Sequence, residues 1–251
     1  MRRKIIAGNW KMNKDHREGA ALAKEIAAGL AAAARTSCEI VLIPPFTTLP
    51  AVLEAIHGSA VKAGAQDLYF EDEGAFTGEI SGRMLRALGC TYVLVGHSER
   101  RHVIGEGSAV LSKKLRAALR NNLRPIFCVG ELLGERESGR AFDVVTGQVR
   151  ECCEGLEPEE FSRVVVAYEP VWAIGTGKTA TTRDASDMHG IIRILLKELF
   201  GTAAADETPI LYGGSVKPES SADLLADAEI DGLLVGGASL KAESFLGIIP
   251  R

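Results

Sequence analysis

Three side chains that could together move a proton each follow an apolar run in this chain. They are the ammonium of Lys11, the imidazole of His97 and the carboxylate of Glu169. Taken singly, each has an ordinary explanation, because a lone lysine is usually a solvated charge and a glutamate after a strand can cap a helix. Taken together, they supply a positive charge, a hydrogen-bond donor and a base. Asn9 and Glu99 add polar groups two residues away from Lys11 and His97.

This set favours abstraction of a proton from a carbon atom next to a carbonyl group. Glu169 could take the proton if the resulting enediolate oxygen is stabilised by a hydrogen bond from His97 and by the charge of Lys11. We find no carboxylate pair suited to glycoside hydrolysis, no Cys/His metal spacing and no serine with an obvious base. We therefore expect an aldose–ketose isomerisation that uses no cofactor and no metal.

The segment after Glu169 contains Gly175-Thr176-Gly177-Lys178-Thr179, which has the form of the end of a nucleotide-binding P-loop. A P-loop also needs a glycine five positions before the glycine that precedes its lysine, so that backbone N–H groups can surround the phosphates. That position is Trp172, and Pro170 lies where the loop should leave its strand. The spacing therefore argues against an ATP site.

Two glycine-rich segments follow later apolar runs, Gly213-Gly214-Ser215 and Gly236-Gly237-Ala238-Ser239. Glycine allows backbone N–H groups to approach an oxyanion closely, and such groups at the start of a short helix bind phosphate. A double glycine can also be only a turn. In company with the three reactive side chains, the segments predict a small phosphorylated substrate.

The composition is that of a globular protein and excludes several classes. A net charge of −4 and a pI near 5.8 argue against a general nucleic-acid binder. The longest apolar runs have the length of strands, so we expect no membrane segment, and the first residues lack the features of a signal peptide. The five cysteines form no CxxC pair and are expected to be reduced in a cytoplasmic protein.

Short, continuously apolar runs recur along the chain, as is typical of parallel strands buried on both faces. They predict eight strands, at residues 4–9, 39–43, 61–66, 92–96, 125–129, 164–168, 210–213 and 232–236.

Helical apolar spacing appears between these runs, at residues 18–34, 111–119, 191–199 and 223–228. Alternation of strands and helices predicts an α/β protein, and eight such units fit a single (β/α)8 barrel domain spanning residues 1–251. An open doubly wound sheet is the alternative, but no G-x-G-x-x-G follows the first strand. In a barrel, the reactive residues would meet at the carboxyl ends of the strands.

Six motifs, in order along the chain, resemble those of the triosephosphate isomerase family, whose fold is the TIM barrel. They are GNWKMN (8–13), GAFTGEIS (74–81), VGHSERR (95–101), AYEPVWAIGTGKTA (167–180), LYGGSVKP (211–218) and GLLVGGASL (232–240). The resemblance implies interconversion of dihydroxyacetone phosphate and D-glyceraldehyde 3-phosphate, a cofactor-free step of glycolysis and gluconeogenesis.

The resemblance also implies roles for individual residues. Glu169 would be the base and a neutral His97 the electrophile. Lys11 and Asn9 would bind the substrate and stabilise developing charge, with Glu99 supporting them. The backbone groups that hold the phosphate would belong to Gly175, Ser215, Gly236 and Gly237.

Two further features are implied in the same way. The AIGTGKT segment would be a lid that excludes water, hinged at residues 170–172 and 178–180, with Ile174 covering Glu169. The loop at residues 74–78 would reach a second copy of the chain near its Lys11, with Thr77 in the contact of a homodimer.

The chain departs from the family pattern at Asp67, where asparagine is common, at Ile104, where phenylalanine is frequent, and in the acidic segment 69–73. These departures bear on subunit contacts. Two other functions remain open on the residues alone. One is a non-catalytic phosphate-binding barrel, which would need neither His97 nor Glu169. The other is an isomerase or synthase for a larger phosphosugar.

Overall fold

Eight parallel strands form a closed barrel in the computed structural model, which describes residues 2–32, 36–174 and 180–250. Each strand pairs with its neighbours in chain order, and the last closes the barrel against the first. The strands are β1 (Ile5–Asn9), β2 (Glu39–Ile43), β3 (Lys62–Ala65), β4 (Tyr92–Val95), β5 (Arg124–Val129), β6 (Val165–Tyr168), β7 (Ile210–Tyr212) and β8 (Gly232–Val235). The predicted TIM barrel is confirmed.

The strands are apolar except at their end residues, such as Glu39, Lys62 and Arg124, because both of their faces are covered. Alternate strand residues fill the inside of the barrel, namely Ile5, Ala7, Val41, Ile43, Tyr92, Leu94, Ile126, Cys128, Val165, Ala167, Leu211 and Leu234. The intervening residues pack outward against helices in a second, larger cluster. The same alternation continues to the carboxyl end of β1 and past that of β6. Asn9 and Glu169 come two residues after Ala7 and Ala167, so they continue the inward-facing series.

Helices connect the strands and cover the outer face of the barrel. They are α1 (His16–Ala32), α2 (Leu49–Ala55), α3 (Gly82–Leu88), α4 (Ser108–Arg120), α5 (Leu133–Glu137), α6 (Ala141–Cys153), α7 (Pro158–Phe161), α8 (Thr182–Glu207), α9 (Pro218–Ala226) and α10 (Ala242–Ile248). The predicted stretches 111–119 and 191–199 fall in α4 and α8, while 18–34 and 223–228 overlap α1 and α9 and extend two residues past their ends. Gly201 interrupts α8 with a φ of 84°, a conformation that glycine adopts without steric cost.

The five cysteines are buried as free thiols. No helix in the described part of the chain combines the length and apolarity needed to cross a bilayer.

A buried charge cluster ties the amino ends of the strands together, at the opposite end from the reactive residues. Arg193, from α8, contacts Asp231 at 2.7 Å, and both residues are only 5% exposed. The guanidinium also donates to the carbonyl oxygens of Ala205 and Thr208, at 2.7 and 3.1 Å. Asp231 in turn accepts the Ile210 N–H at 3.0 Å. The cluster thus fastens α8 to the starts of β7 and β8.

Candidate active site

A cavity of about 380 Å³ opens at the carboxyl ends of the strands. Its lining includes most of the reactive residues predicted from the sequence, namely Asn9, Lys11, His97, Glu169, Ser215, Gly236 and Gly237. Glu99 joins them through a contact with Lys11, and Gly175 lies outside the described residues. The barrel therefore gathers residues that are far apart in the chain.

Glu169 follows β6 and is only 2% exposed. Its Oε1 lies 3.0 Å from His97 Nε2, and its Oε2 accepts the Ser98 N–H at 2.8 Å. Burial raises the pKa of this carboxyl, but the His97 side chain, the Ser98 N–H and the Lys11 charge outweigh burial and hold the pKa below its usual range. Glu169 is therefore ionised at neutral pH and able to accept a proton.

The hydrogen bonds of His97 define which nitrogen faces the cavity as a donor. Its Nδ1 accepts the Glu99 N–H at 3.3 Å, which leaves the hydrogen on Nε2, directed at Glu169. Burial lowers the pKa of His97, while the Glu169 and Glu99 carboxylates outweigh burial and raise it. An imidazolium would place two N–H groups against each other at Nδ1. The Nδ1 contact favours a ring with hydrogen on Nε2, whereas the raised pKa favours the charged ring, so the neutral state of His97 remains a prediction.

Lys11 adopts an uncommon backbone conformation that other residues hold in place. Its φ is 53°, in the left-handed region that costs free energy for a side chain with a Cβ. The Asn9 side chain accepts the Lys11 N–H at 3.0 Å, and Gln66 Nε2 donates to the Lys11 carbonyl at 2.8 Å. The ammonium then reaches Glu99 Oε1 at 2.6 Å.

Gln66 had appeared in the sequence only as the end of a strand. Its side chain also donates to the Ile43 carbonyl, at 3.1 Å, so it joins the ends of β1, β2 and β3. The available signal was its position: like Asn9, it is a polar residue at the carboxyl end of an apolar run.

Both glycine segments line the cavity. A Cβ on Gly213 would lie 2.9 Å from Glu169 Cγ, and a Cβ on Gly214 would lie 2.2 Å from the Tyr212 hydroxyl oxygen, so side chains are excluded there. A 3₁₀ turn, Gly237–Leu240, begins directly after Gly236, and its first residue lines the cavity. Backbone N–H groups at such a start are suited to an anion.

Glu131 anchors the segment that leads from Glu169 toward the predicted lid. Its fully buried Oε1 accepts the Tyr168 hydroxyl at 3.0 Å and Trp172 Nε1 at 2.8 Å, and Arg136 lies 3.3 Å away. The predicted first hinge forms a 3₁₀ turn, Val171–Ala173, and Ile174 lines the cavity. Sequence reasoning missed Glu131. Of the predicted lid and second hinge, residues 175–179 lie outside the described residues.

Asp67, one of the departures noted above, belongs to a buried ion cluster. Lys114 Nζ contacts its two carboxylate oxygens at 2.8 and 2.7 Å and Glu106 Oε1 at 2.6 Å. Arg100 pairs with both carboxylates. Burial raises the pKa of Asp67 despite the nearby Lys114 charge. Two cations thus balance two carboxylates and link the loops after β3 and β4.

The chain is similar over nearly its whole length to proteins of one family. A family model described as triosephosphate isomerase matches residues 4–251. A curated protein of that name from Moorella thermoacetica is 55% identical over 249 residues, covering 99% of this chain and 98% of its own. Another of the same name, from a Roseiflexus species, is 52% identical over 249 residues, covering 99% of this chain and 97% of its own.

Proposed function

The chain belongs to the triosephosphate isomerase family, and from this premise we propose that it interconverts dihydroxyacetone phosphate and D-glyceraldehyde 3-phosphate through an enediolate. We assign the reaction to one catalytic domain of residues 1–251. The observation that carries the proposal is the contact of an ionised, buried Glu169 with His97 Nε2 inside a cavity bordered by the glycine segments. A base and a hydrogen-bond donor thus lie where one small molecule can touch both.

The reaction moves one proton between neighbouring carbon atoms and a second proton between the oxygen atoms that these carbons carry. Glu169 removes a proton from the carbon next to the carbonyl group and returns it to the other carbon. The His97 Nε2–H donates to the oxygen that becomes negative, and Lys11 adds positive charge beside it, with Asn9. Glu99 holds the Lys11 ammonium through their 2.6 Å contact. No external electron carrier takes part, because the oxidation of one carbon balances the reduction of the other.

Glu169 has to exchange partners before it can act. Both of its oxygens are engaged, one by His97 Nε2 and one by the Ser98 N–H. A bound substrate would take the hydrogen bond of His97 for its own carbonyl oxygen. The carboxylate would then leave Ser98 and turn to the carbon atom.

The phosphate group occupies the glycine end of the cavity. We assign its ligands to backbone groups of Ser215, Gly236 and Gly237, and to Gly175 beyond the described residues. This assignment is supported by the steric exclusion of side chains at Gly213 and Gly214 and by the 3₁₀ turn beside Gly236.

A lid formed by the AIGTGKT segment would cover the enediolate. Exclusion of water protects this intermediate from loss of its phosphate group. The position of Ile174 in the cavity lining supports the assignment. The lid's role is measured by inorganic phosphate released per isomerisation, which should rise when residues 174–177 are replaced by a Gly-Gly turn.

The activity is tested with D-glyceraldehyde 3-phosphate in a coupled assay, without added metal or nucleotide. Rapid formation of dihydroxyacetone phosphate supports the proposal. A non-catalytic phosphate-binding barrel would give none. An enzyme for a larger phosphosugar would convert that sugar in preference to the triose.

The pH dependence follows from the lowered pKa of Glu169. Because kcat/KM reports the free enzyme, its acid limb should lie below about pH 4.3, the ordinary glutamate value, once the substrate phosphate titration near pH 6 is divided out. Activity should fall as the pH drops through this pKa, because the base accepts a proton only when it is ionised. Circular dichroism over the same range controls for unfolding. The raised pKa of His97 can add a second limb, so the profile is also measured for His97→Gln, and a limb between pH 5 and 7 that persists in this variant would contradict the assignment.

We assign the active form to a homodimer in the cytoplasm. Large apolar side chains are exposed on loops after β1, β3 and β4, namely Met12 (94%), Phe76 (40%), Val103 (77%) and Ile104 (62%). Such a group of exposed apolar residues is characteristic of an interface. Buried free thiols agree with a reducing compartment.

Replacing Thr77 with arginine should dissociate this dimer, because a charge would be desolvated in the contact. We expect sedimentation velocity to show monomers at micromolar concentration, with activity reduced at least about tenfold through loss of support for the neighbouring Lys11. Thr77→Ser is the matched control and should remain dimeric. A wild-type chain that is fully active as a monomer at nanomolar concentration would refute the dimer.

A further inference from the structure

Residues 129–131, the backbone segment next to Glu169, extend past the point where β4 pairs with β5. Pairing of β4 with β5 runs as far as Val95 and Phe127. On the other side, hydrogen bonds continue past the ends of the strands: the Glu169 N–H donates to the Val129 carbonyl at 2.8 Å, and the Val171 N–H to the Glu131 carbonyl at 3.2 Å. Residues 129–131 therefore hold the chain around Glu169 after their own support from β4 has ended.

Gln148, from α6, takes the place of the missing strand. Its Oε1 accepts the Gly130 N–H at 2.9 Å, and its Nε2 donates to the Gly130 carbonyl at 3.0 Å. A side-chain amide has the same donor and acceptor as a peptide group, so this pair of bonds resembles one rung of a β ladder. Two residues earlier, between the ends of β4 and β5, Arg101 bridges the two strands by donating to the carbonyls of Gly96 and Cys128, at 2.9 and 3.0 Å.

Gly130 transmits the position of this rung directly to Glu169. A Cβ built on Gly130 would lie 1.8 Å from the Glu169 carbonyl oxygen, so the two backbones are in close contact with no side chain between them. A displacement of Gly130 therefore displaces the backbone from which the carboxylate projects.

We propose that Gln148 is a positioning residue for the catalytic base, acting through Gly130. This inference rests on the proposed role of Glu169. Gln148 lies in α6, outside the cavity lining, and touches neither substrate nor reacting atoms. The alternative is that it only fastens α6 to the barrel. The two roles differ in what happens to kcat when the hydrogen bonds are removed.

Gln148→Met keeps the length of the side chain and removes both hydrogen bonds. We expect kcat to fall about tenfold, since misplacement of a catalytic group by a fraction of an ångström is costly. KM and the inhibition constant of inorganic phosphate should stay within about twofold, because Gln148 bonds to Gly130 and to none of the proposed phosphate ligands. Two variants on the same helix are controls. Thr146→Val removes a hydroxyl that bonds within α6, and Val149→Ala lowers stability from a fully buried position. Both should retain wild-type kcat.

Gln148→Glu supplies a second, near-isosteric measurement. Its carboxylate would lack the hydrogen that the Gly130 carbonyl needs, whereas the protonated acid can donate one. The ratio of its kcat to that of wild type should therefore rise as pH falls, while the ratio for Gln148→Met stays flat. A purely structural role predicts two flat ratios.

A double variant separates failure of this inference from failure of the proposed function. In a Glu169→Gln background, Gln148→Met should lower kcat by less than twofold further, because it acts through a base that is already gone. Normal turnover by Glu169→Gln alone would overturn the proposed function. If Glu169→Gln is impaired but Gln148→Met keeps its kcat and loses only thermal stability, the positioning role is wrong and the proposed function stands.

Discussion

Glu169→Gln is expected to lower kcat by at least about 10²-fold, the usual scale for loss of a general base. Glutamine keeps the size of the side chain and can still accept the Ser98 N–H that the carboxylate accepts at 2.8 Å. The fold should therefore remain, but a neutral amide cannot take a proton from carbon. The measurement is steady-state turnover in both directions, with inorganic phosphate as a competitive ligand.

Phosphate inhibition should change little in this variant, since the proposed phosphate ligands are backbone groups of the glycine segments. Glu151→Gln, on exposed α6 surface, is the matched control and should behave as wild type. Near-normal turnover by Glu169→Gln would show that Glu169 is not the base, and the proposed mechanism with His97 as its partner would be wrong.

Asp231→Ala should have the largest effect on stability. It removes the buried carboxylate 2.7 Å from the Arg193 guanidinium, which is 5% exposed, and leaves this cation only the partly exposed Glu229 carboxylate at 2.9 Å. Removing one partner of a buried ion pair costs about 3–5 kcal/mol, because the other charge stays buried. For a chain of this size, that is a fall of roughly 6–20 °C in Tm. The measurement is Tm, together with kcat well below the transition, which should be unchanged because the cluster lies at the far end of the barrel.

Asp206→Ala provides the control for this prediction. It breaks an exposed ion pair with Lys197, where the two side chains are 52% and 44% exposed. Such pairs contribute less than about 1 kcal/mol. Equal losses of Tm in the two variants would show that burial is not the source of the effect.

The strands and the inward positions were predictable from the sequence because a single physical pattern governs both. Continuous apolar runs reflect burial on two faces, and the period of two then directs Asn9 and Glu169 inward once the strand ends are known. The barrel places them on one rim, which is why residues so distant in the chain can be grouped from the sequence.

The supporting residues were less predictable because their partners lie in other elements, as side chains for Glu131 and as main-chain groups for Gln66 and Gln148. Gln66, Glu131 and Gln148 bind the Lys11 carbonyl, the Trp172 indole and the Gly130 peptide. Apolar periodicity and short motifs carry no information about such contacts. Gln148 in particular sits in a helix that the sequence analysis had not delimited. The lid, the dimer and the roles of the site residues remain predictions.

The Ser98 N–H, which donates to Glu169, would compete with the substrate for this carboxylate. A hydrogen bond to a charged group contributes about 1.5 kcal/mol net, which would leave the carboxylate free about one tenth of the time. Apparent substrate affinity falls by the same factor, and the attraction of the phosphate for the glycine segments has to offset it. If Glu169 acts as proposed, we therefore expect the affinity for the triose to depend partly on the Ser98 N–H.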